Sequence, residues 1–194
     1  MTVARRQVRR AAHLLLAAGV LAVGYAAVVV VDARTYQASA LRRFERARAA
    51  APVALVPLVQ GAALGELRIP RLGLAAVIVQ GDSAGVLQRG VGHLSETALP
   101  GEAGNVVLAG HRDTFFRPLQ GIRAGDVITI RTSTADVDYI VESTAVVAPD
   151  AVDVLRATSR RTLTLVTCFP FHYVGPAPRR FVVRAVEVAS SAPR

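Results

Sequence analysis

Cysteine is almost absent from this 194-residue chain, where Cys168 stands alone. One thiol cannot close an internal disulfide, so Cys168 is either an inert buried residue or a reactive nucleophile. Lysine is wholly absent; all 23 basic residues are arginine, and they outweigh 14 acidic ones to give a net charge of +9. Much of that excess lies in the first ten residues and in 34–48, where it suits anionic lipid headgroups or cell-wall polymers better than DNA. Zinc-finger, basic-zipper and aromatic-interleaved RNA patterns are missing, which excludes the common nucleic-acid modules. The scattered Asp and Glu show no metal-ligand spacing and no glycine-rich phosphate loop follows a strand, so the sequence implies neither metal nor cofactor. An internal repeat and a second membrane-length apolar run are missing as well.

What is present begins with residues 14–31, a stretch without a charged side chain preceded by Arg5, Arg6, Arg9 and Arg10. As a helix it would reach roughly 27 Å, close to a bilayer core of about 30 Å. The positive-inside rule then keeps the N-terminus cytoplasmic and sends the rest of the chain outward. A cleaved signal peptide is the alternative, but the run is long for one and passes into Asp32-Ala33-Arg34 without a clear cleavage site. The expected organisation is a cytoplasmic basic tail over 1–10, a transmembrane signal-anchor over 11–33, a helical stalk and linker over 34–63 that breaks at Pro52, a β-barrel over 64–190 and a tail over 191–194.

From residue 64 onward β signals dominate. Strands are expected at 66–69, 74–79, 105–109, 127–132, 137–142, 145–148, 162–168 and 180–188, with short helices at 83–89, 115–119 and 150–157, the last capped by Asp150. Eight short strands with few helices point to an all-β, closed or nearly closed barrel.

The chemistry gathers at strand ends. Cys168 closes the run Thr162-Leu163-Thr164-Leu165-Val166-Thr167-Cys168. Strand alternation puts Thr164, Val166 and Cys168 on one side and Leu163 and Leu165 on the other, so a core on the leucine side turns the thiol toward a groove. Two histidines in glycine-flanked turns, His93 and His111, are candidate partners. His111 is the better placed, because it follows the apolar run 105–109. Asp113 either orients that imidazole or, more simply, caps the turn that follows. Arg180 opens the next strand and cannot act as a base, which leaves clamping a carbonyl or an oxyanion; Arg179 beside it has the opposite parity. A thiol, an imidazole and a guanidinium together suit acyl transfer. His172, in the loop after Cys168, is a candidate substrate wall or a solvated residue, and His13 beside the apolar run is incidental.

Three segments carry a family resemblance. Thr164-Leu165-Val166-Thr167-Cys168, Gly104-Asn105-Val106-Val107-Leu108-Ala109-Gly110-His111 and the arginine Arg180 at the start of the last strand resemble the sortases, cysteine transpeptidases of bacterial surfaces. Leu67-Arg68-Ile69-Pro70, Gly110-His111-Arg112-Asp113-Thr114-Phe115-Phe116 and the Phe169-Pro170-Phe171 loop look most like class D. One departure is His93-Leu94-Ser95-Glu96-Thr97, which lacks the Pro-Gly of the frequent H-x-P-G-T pattern. The resemblance implies an eight-stranded sortase barrel with His111, Cys168 and Arg180 as catalytic residues. His93, Val166, Thr167 and His172 would be substrate-binding. It implies surface proteins bearing an LPxTG-like signal as substrates and an amine, on a peptidoglycan precursor or another protein, as acceptor. The chain has no such signal and no side-chain amine of its own. A cysteine peptidase using water, and a membrane-tethered binding barrel without activity, remain as alternatives.

Overall fold

A computed structural model describes residues 2–49 and 59–188. The expected linker residues 52–58 and the tail 191–194 lie outside the described residues. The first element is one helix, α1 (Thr2–Ala49). No proline interrupts it, and its two commonest residues, Ala and Arg, are strong helix formers. Its apolar middle has a mean hydropathy of 2.6 and no buried residues, and the helix is long and apolar enough to cross a membrane.

Eight strands follow: β1 (Ala63–Ile69), β2 (Leu74–Gln80), β3 (Val91–His93), β4 (Asn105–Ala109), β5 (Val127–Arg131), β6 (Asp136–Val147), β7 (Thr162–Phe169) and β8 (Arg179–Glu187). They close in the order β1-β2-β3-β4-β7-β8-β6-β5. The β2–β3 and β4–β7 pairs are parallel and the others antiparallel. Closure leaves no open sheet edge for another chain to pair with. Inward residues of every strand, among them Leu67, Ile78, Leu108, Ile128, Tyr139, Leu165 and Val183, fill the interior with Phe116 and Leu119 from the β4–β5 connection.

The strand count agrees with the expectation, but two elements differ. Residues 137–142 and 145–148 form one strand, β6, with a bulge between Val141 and Ser143 that absorbs Glu142 without ending the ladder. Val91–His93, expected in a turn, forms β3, pairing with Gln80 of β2 and Leu108 of β4. The helix at 83–89 is present as α2 (Ala84–Arg89). The other two are short 3-10 helices, η2 (Arg117–Gly121) and η3 (Val152–Leu155), and a further one, η1 (Pro70–Leu72), joins β1 to β2. Residue Ala151, not Asp150, precedes η3, and no side chain caps it.

The C-terminal half of α1 lies on the barrel's outer wall. Ala40 joins Val77, Val79 and Val86 in a small apolar cluster flanked by Tyr36 and Leu41, and Phe44 is buried as well. Gln37 Oε1 accepts from Val77 N at 2.8 Å and its Nε2 donates to Arg89 O at 2.5 Å. Arg89 pairs with Asp32, and Arg131 with Glu45. Gly90 leaves the space this docking uses, since a Cβ there would lie 3.2 Å from Gln37 Nε2 and 2.8 Å from Val77 O.

Candidate active site

β7 alternates as its sequence expects. Leu163 and Leu165 are fully buried in the core, so Cys168, two and four positions along from Val166 and Thr164, faces out of the barrel. The thiol is half-buried and free. In the antiparallel β7–β8 register Cys168 stands directly opposite Arg180, and Val166 opposite Val182. Opposed residues on one face have Cβ atoms about 4.5–5.5 Å apart, so the two side chains leave the barrel from one patch of wall. Phe181, Val183 and Ala185 point the other way, into the core. Arg179, of their parity, is exposed opposite Phe169. Arg180 Nη1 donates to Ala177 O at 3.3 Å and Arg179 O at 3.1 Å, holding its guanidinium back along the strand start.

On the other side of β7 runs β4, parallel and paired up to Ala109↔Val166. The ladder continues one step further, with Gly110 N donating to Val166 O at 3.2 Å and Thr167 Oγ1 donating to Gly110 O at 2.7 Å. His111 lies two residues beyond Ala109 as Cys168 lies two beyond Val166, so continuing the register past the strand end would bring the two level. Cys168 thus has Arg180 directly opposite on one side and, on the other, the chain that leads from β4 into His111. His111 leads a turn closed by Phe116 N donating to His111 O at 3.0 Å. Gly110 is required there: a Cβ would lie 2.8 Å from the ring of fully buried Phe116. Asp113 is exposed and, among the described residues, makes no hydrogen bond to the imidazole.

The remaining candidates divide. Val166 is half-buried on the thiol's side of β7. Thr167 is corrected: its side chain points inward, 3 % exposed, and ties β7 to the residue before His111 instead of facing a groove. His93 is corrected too, because it is 1 % exposed and both ring nitrogens are engaged by the protein. Nε2 lies 2.9 Å from Ala98 O and Nδ1 2.9 Å from the Gln80 side chain. Burial pushes its pKa below the ordinary 6.5. Nδ1 lies against Gln80 Oε1, while Gln80 Nε2 donates to Ser95 Oγ at 3.0 Å. The turn after it keeps its shape without Pro-Gly, since Thr97 Oγ1 donates to Leu94 O at 2.7 Å and accepts from Val107 N at 3.2 Å. His172 is exposed and donates from Nε2 to Gln120 Oε1 of η2 at 3.1 Å.

Sequence reasoning passed over Arg112. Its Nη2 donates to Tyr173 O at 2.7 Å and Gly175 O at 3.1 Å, and its guanidinium lies 5.7 Å from the Tyr173 ring centroid. With the His172–Gln120 bond it straps the β7–β8 loop to the segment that carries His111. The base of that loop is fixed by the mutual packing of Phe169, Phe171 and Phe181, with centroids 5.2–6.4 Å apart. Metal-holding clusters of His, Cys, Asp or Glu are absent among the described residues.

With the barrel and these strand ends described, comparison with known proteins is decisive. The sortase domain model matches residues 67–188, a span that includes His93, His111, Cys168 and Arg180. The chain belongs to the sortase family. Sortase D of Bacillus subtilis is 37 % identical over 124 residues, covering 63 % of each protein. Sortase SrtE1 of Streptomyces coelicolor is 38 % identical over 130 residues, 57 % of this chain and 36 % of that one. The matches therefore span less than two thirds of either relative. Among solved structures, the Clostridium perfringens sortase D5 transpeptidase superposes with a TM-score of 0.71 at 28 % identity, covering 80 % of this chain and 99 % of its own. Members of this sortase family are cysteine transpeptidases.

Proposed function

We propose that this sortase is a membrane-anchored cysteine transpeptidase that cleaves an LPxTG-like sorting signal after Thr and joins the acyl part to an amine at the cell surface. The observation that carries the reading is Cys168 directly opposite Arg180, with His111 two residues past Ala109, the last β4 residue paired with β7.

In the first half-reaction the Cys168 thiolate attacks the Thr carbonyl carbon. The C–S bond forms as the carbonyl π pair moves onto oxygen. The Arg180 guanidinium holds that developing oxyanion with a fork of fixed donors. As the tetrahedral intermediate collapses, the C–N bond breaks and His111 protonates the leaving amine. The thioacyl enzyme remains. In the second half-reaction an external amine attacks the thioester, His111 takes its surplus proton, and the thiolate leaves with a new amide formed. The chain has no lysine, so the acceptor is another molecule, a peptidoglycan precursor or a second protein.

Membrane anchoring is part of the proposal. Residues 11–33 of α1 cross the membrane with the N-terminal arginines inside, the docked half of the helix emerges outside, and the barrel faces the extracytoplasmic space.

The test is product analysis on the full chain in detergent micelles with an LPxTG-type peptide and an added amine. The expected outcome is an amide product that is lost in Cys168→Ala. His111→Ala should fall at least 100-fold, the range of a positioned acid–base group. Arg180→Lys should fall substantially, because a point charge replaces a planar fork. Acid alone as product would instead make the chain a peptidase. Wild-type rates in all three variants would sink the assignment.

A further inference from the structure

A cleft of about 680 Å³ lies between α1 and the barrel. Its volume falls in the range of roughly 300–1,000 Å³ that small-molecule sites occupy. One wall is helical, where Val30, Arg34, Ala38 and Leu41 line it at the three- and four-residue spacing of a single helix face. The opposite wall includes Leu74 and Ala75 of β2 and Phe115, from the connection that begins at His111. The two charged lining residues differ. Glu66 is 3 % exposed, and its carboxylate is paired with Arg68 and Arg131. Arg34 is exposed. The acid nearest to it in sequence, Asp32, is paired with Arg89, and Arg34 has no ion pair among the described residues. The cleft therefore offers a largely apolar wall with an uncompensated cation on it. The place of that cation selects the ligand. Val30 belongs to the uncharged run 14–31, and Arg34 follows the end of that run by three residues, about 4.5 Å along a helix axis. The headgroup layer is roughly 5–7 Å deep on each side of the hydrocarbon core. A helix spanning with this run puts Arg34 at the level of lipid phosphates and opens the cleft onto the lipid.

We propose that this cleft binds a bilayer glycerophospholipid with an anionic headgroup, one acyl chain lying against Leu41, Leu74 and Phe115 and the phosphate at Arg34. The inference rests on the membrane-anchored reading above. Covering the apolar walls with hydrocarbon removes them from water. The guanidinium donates charge-assisted hydrogen bonds to the phosphate oxygens, a pairing its planar fork suits. The bound chain touches Phe115, the neighbour of Phe116, whose N–H closes the turn on His111 O. Lipid contact and the seat of the imidazole thus share one short segment.

The chain has no tryptophan, so an introduced one is the sole indole fluorophore. Phe115→Trp in the full chain is reconstituted in phosphatidylcholine vesicles, with and without phosphatidylglycerol whose acyl chains carry bromine, a quencher that acts at contact. Val20→Trp, within the apolar run, is the control for anchoring. Both should lose about half their emission or more with the brominated lipid. Adding Ala38→Phe, which fills the cleft from the helix side, should restore the emission of Phe115→Trp and leave Val20→Trp quenched. Adding Arg34→Gln should raise the brominated lipid needed to half-quench Phe115→Trp about fivefold, the weight of one arginine at headgroup level. Val20→Trp quenched beside an unquenched Phe115→Trp overturns the proposal. So does quenching that Ala38→Phe leaves unchanged, or a titration that Arg34→Gln does not shift. Ala75→Trp, on the exposed β2 wall, takes over as reporter if Phe115→Trp folds poorly. An unquenched Val20→Trp would overturn the anchoring reading itself, and the lipid site with it.

Discussion

Gly110 has no room for a methyl group. A Cβ would sit 2.8 Å from the ring of Phe116, which is wedged in the core and cannot rotate away. Gly110→Ala should therefore cost about 1–3 kcal/mol of stability and lower turnover by displacing His111, read by denaturant unfolding beside a rate assay. His93 makes a separate statement about pH. Burial lowers its pKa from 6.5, so just below that pH the unfolded chain binds a proton that the fold refuses. Stability should fall as pH drops below about 6.5, and His93→Gln should flatten that step. Asp126 acts lower down. Hydrogen bonding from Arg71 holds its pKa below the ordinary 3.8, so its contribution is complete above that value and is lost only as pH falls through the lowered one. Unfolding midpoints measured from pH 8 to pH 3 separate the two. At this scale the sequence was informative about Cys168 and Arg180, because period-two alternation places a side chain without knowledge of its neighbours. It was silent about Arg112, whose acceptors are main-chain carbonyls 61 and 63 residues away and leave no trace in residue identity. It misjudged His93 because a histidine after Gly90 and Gly92 reads as a turn, whereas here Gly92 lets the chain leaving β2 approach: a Cβ at Gly92 would lie 2.4 Å from Gly81 O.

Among elements, the readable ones were those with long regular patterns. β4 and β7 came through because each is an apolar or alternating run. β3 was missed because three residues are too few to show a period. β6 was split in two at Ser143-Thr144, while the chain absorbs the extra residue in a bulge and keeps its ladder with β8. The two misreadings offset each other in the strand count. α1 was readable as a helix, but not as a docked one, since the cluster of Ala40 with Val77, Val79 and Val86 draws on segments far apart in sequence. The docking has a measurable consequence. A chain starting at residue 62 uncovers Val77, Val79 and Val86 and should unfold at a lower temperature than one starting at residue 32, by several degrees for a loss of about 1–2 kcal/mol. Gln37→Ala in the longer chain should shift the midpoint partway. Equal midpoints for all three would mean that the helix contributes nothing to the barrel.

For the whole molecule, α1 is at once a membrane-length apolar rod and, in its second half, part of the barrel's wall. The family, the barrel and the anchor candidate were all legible in the sequence; the docking of the helix's second half on the barrel was not. The central claim is that Cys168 carries the acyl group between donor and acceptor. The most direct measurement is the intact mass of the full chain in detergent micelles after incubation with an LPxTG-type peptide and no amine. The account expects the mass to rise by that of the peptide's acyl fragment up to Thr, less the thiol hydrogen, with the gain absent from Cys168→Ala and discharged on adding an amine. An equal gain on Cys168→Ala, or cleavage after Thr by that variant at the wild-type rate, would contradict it.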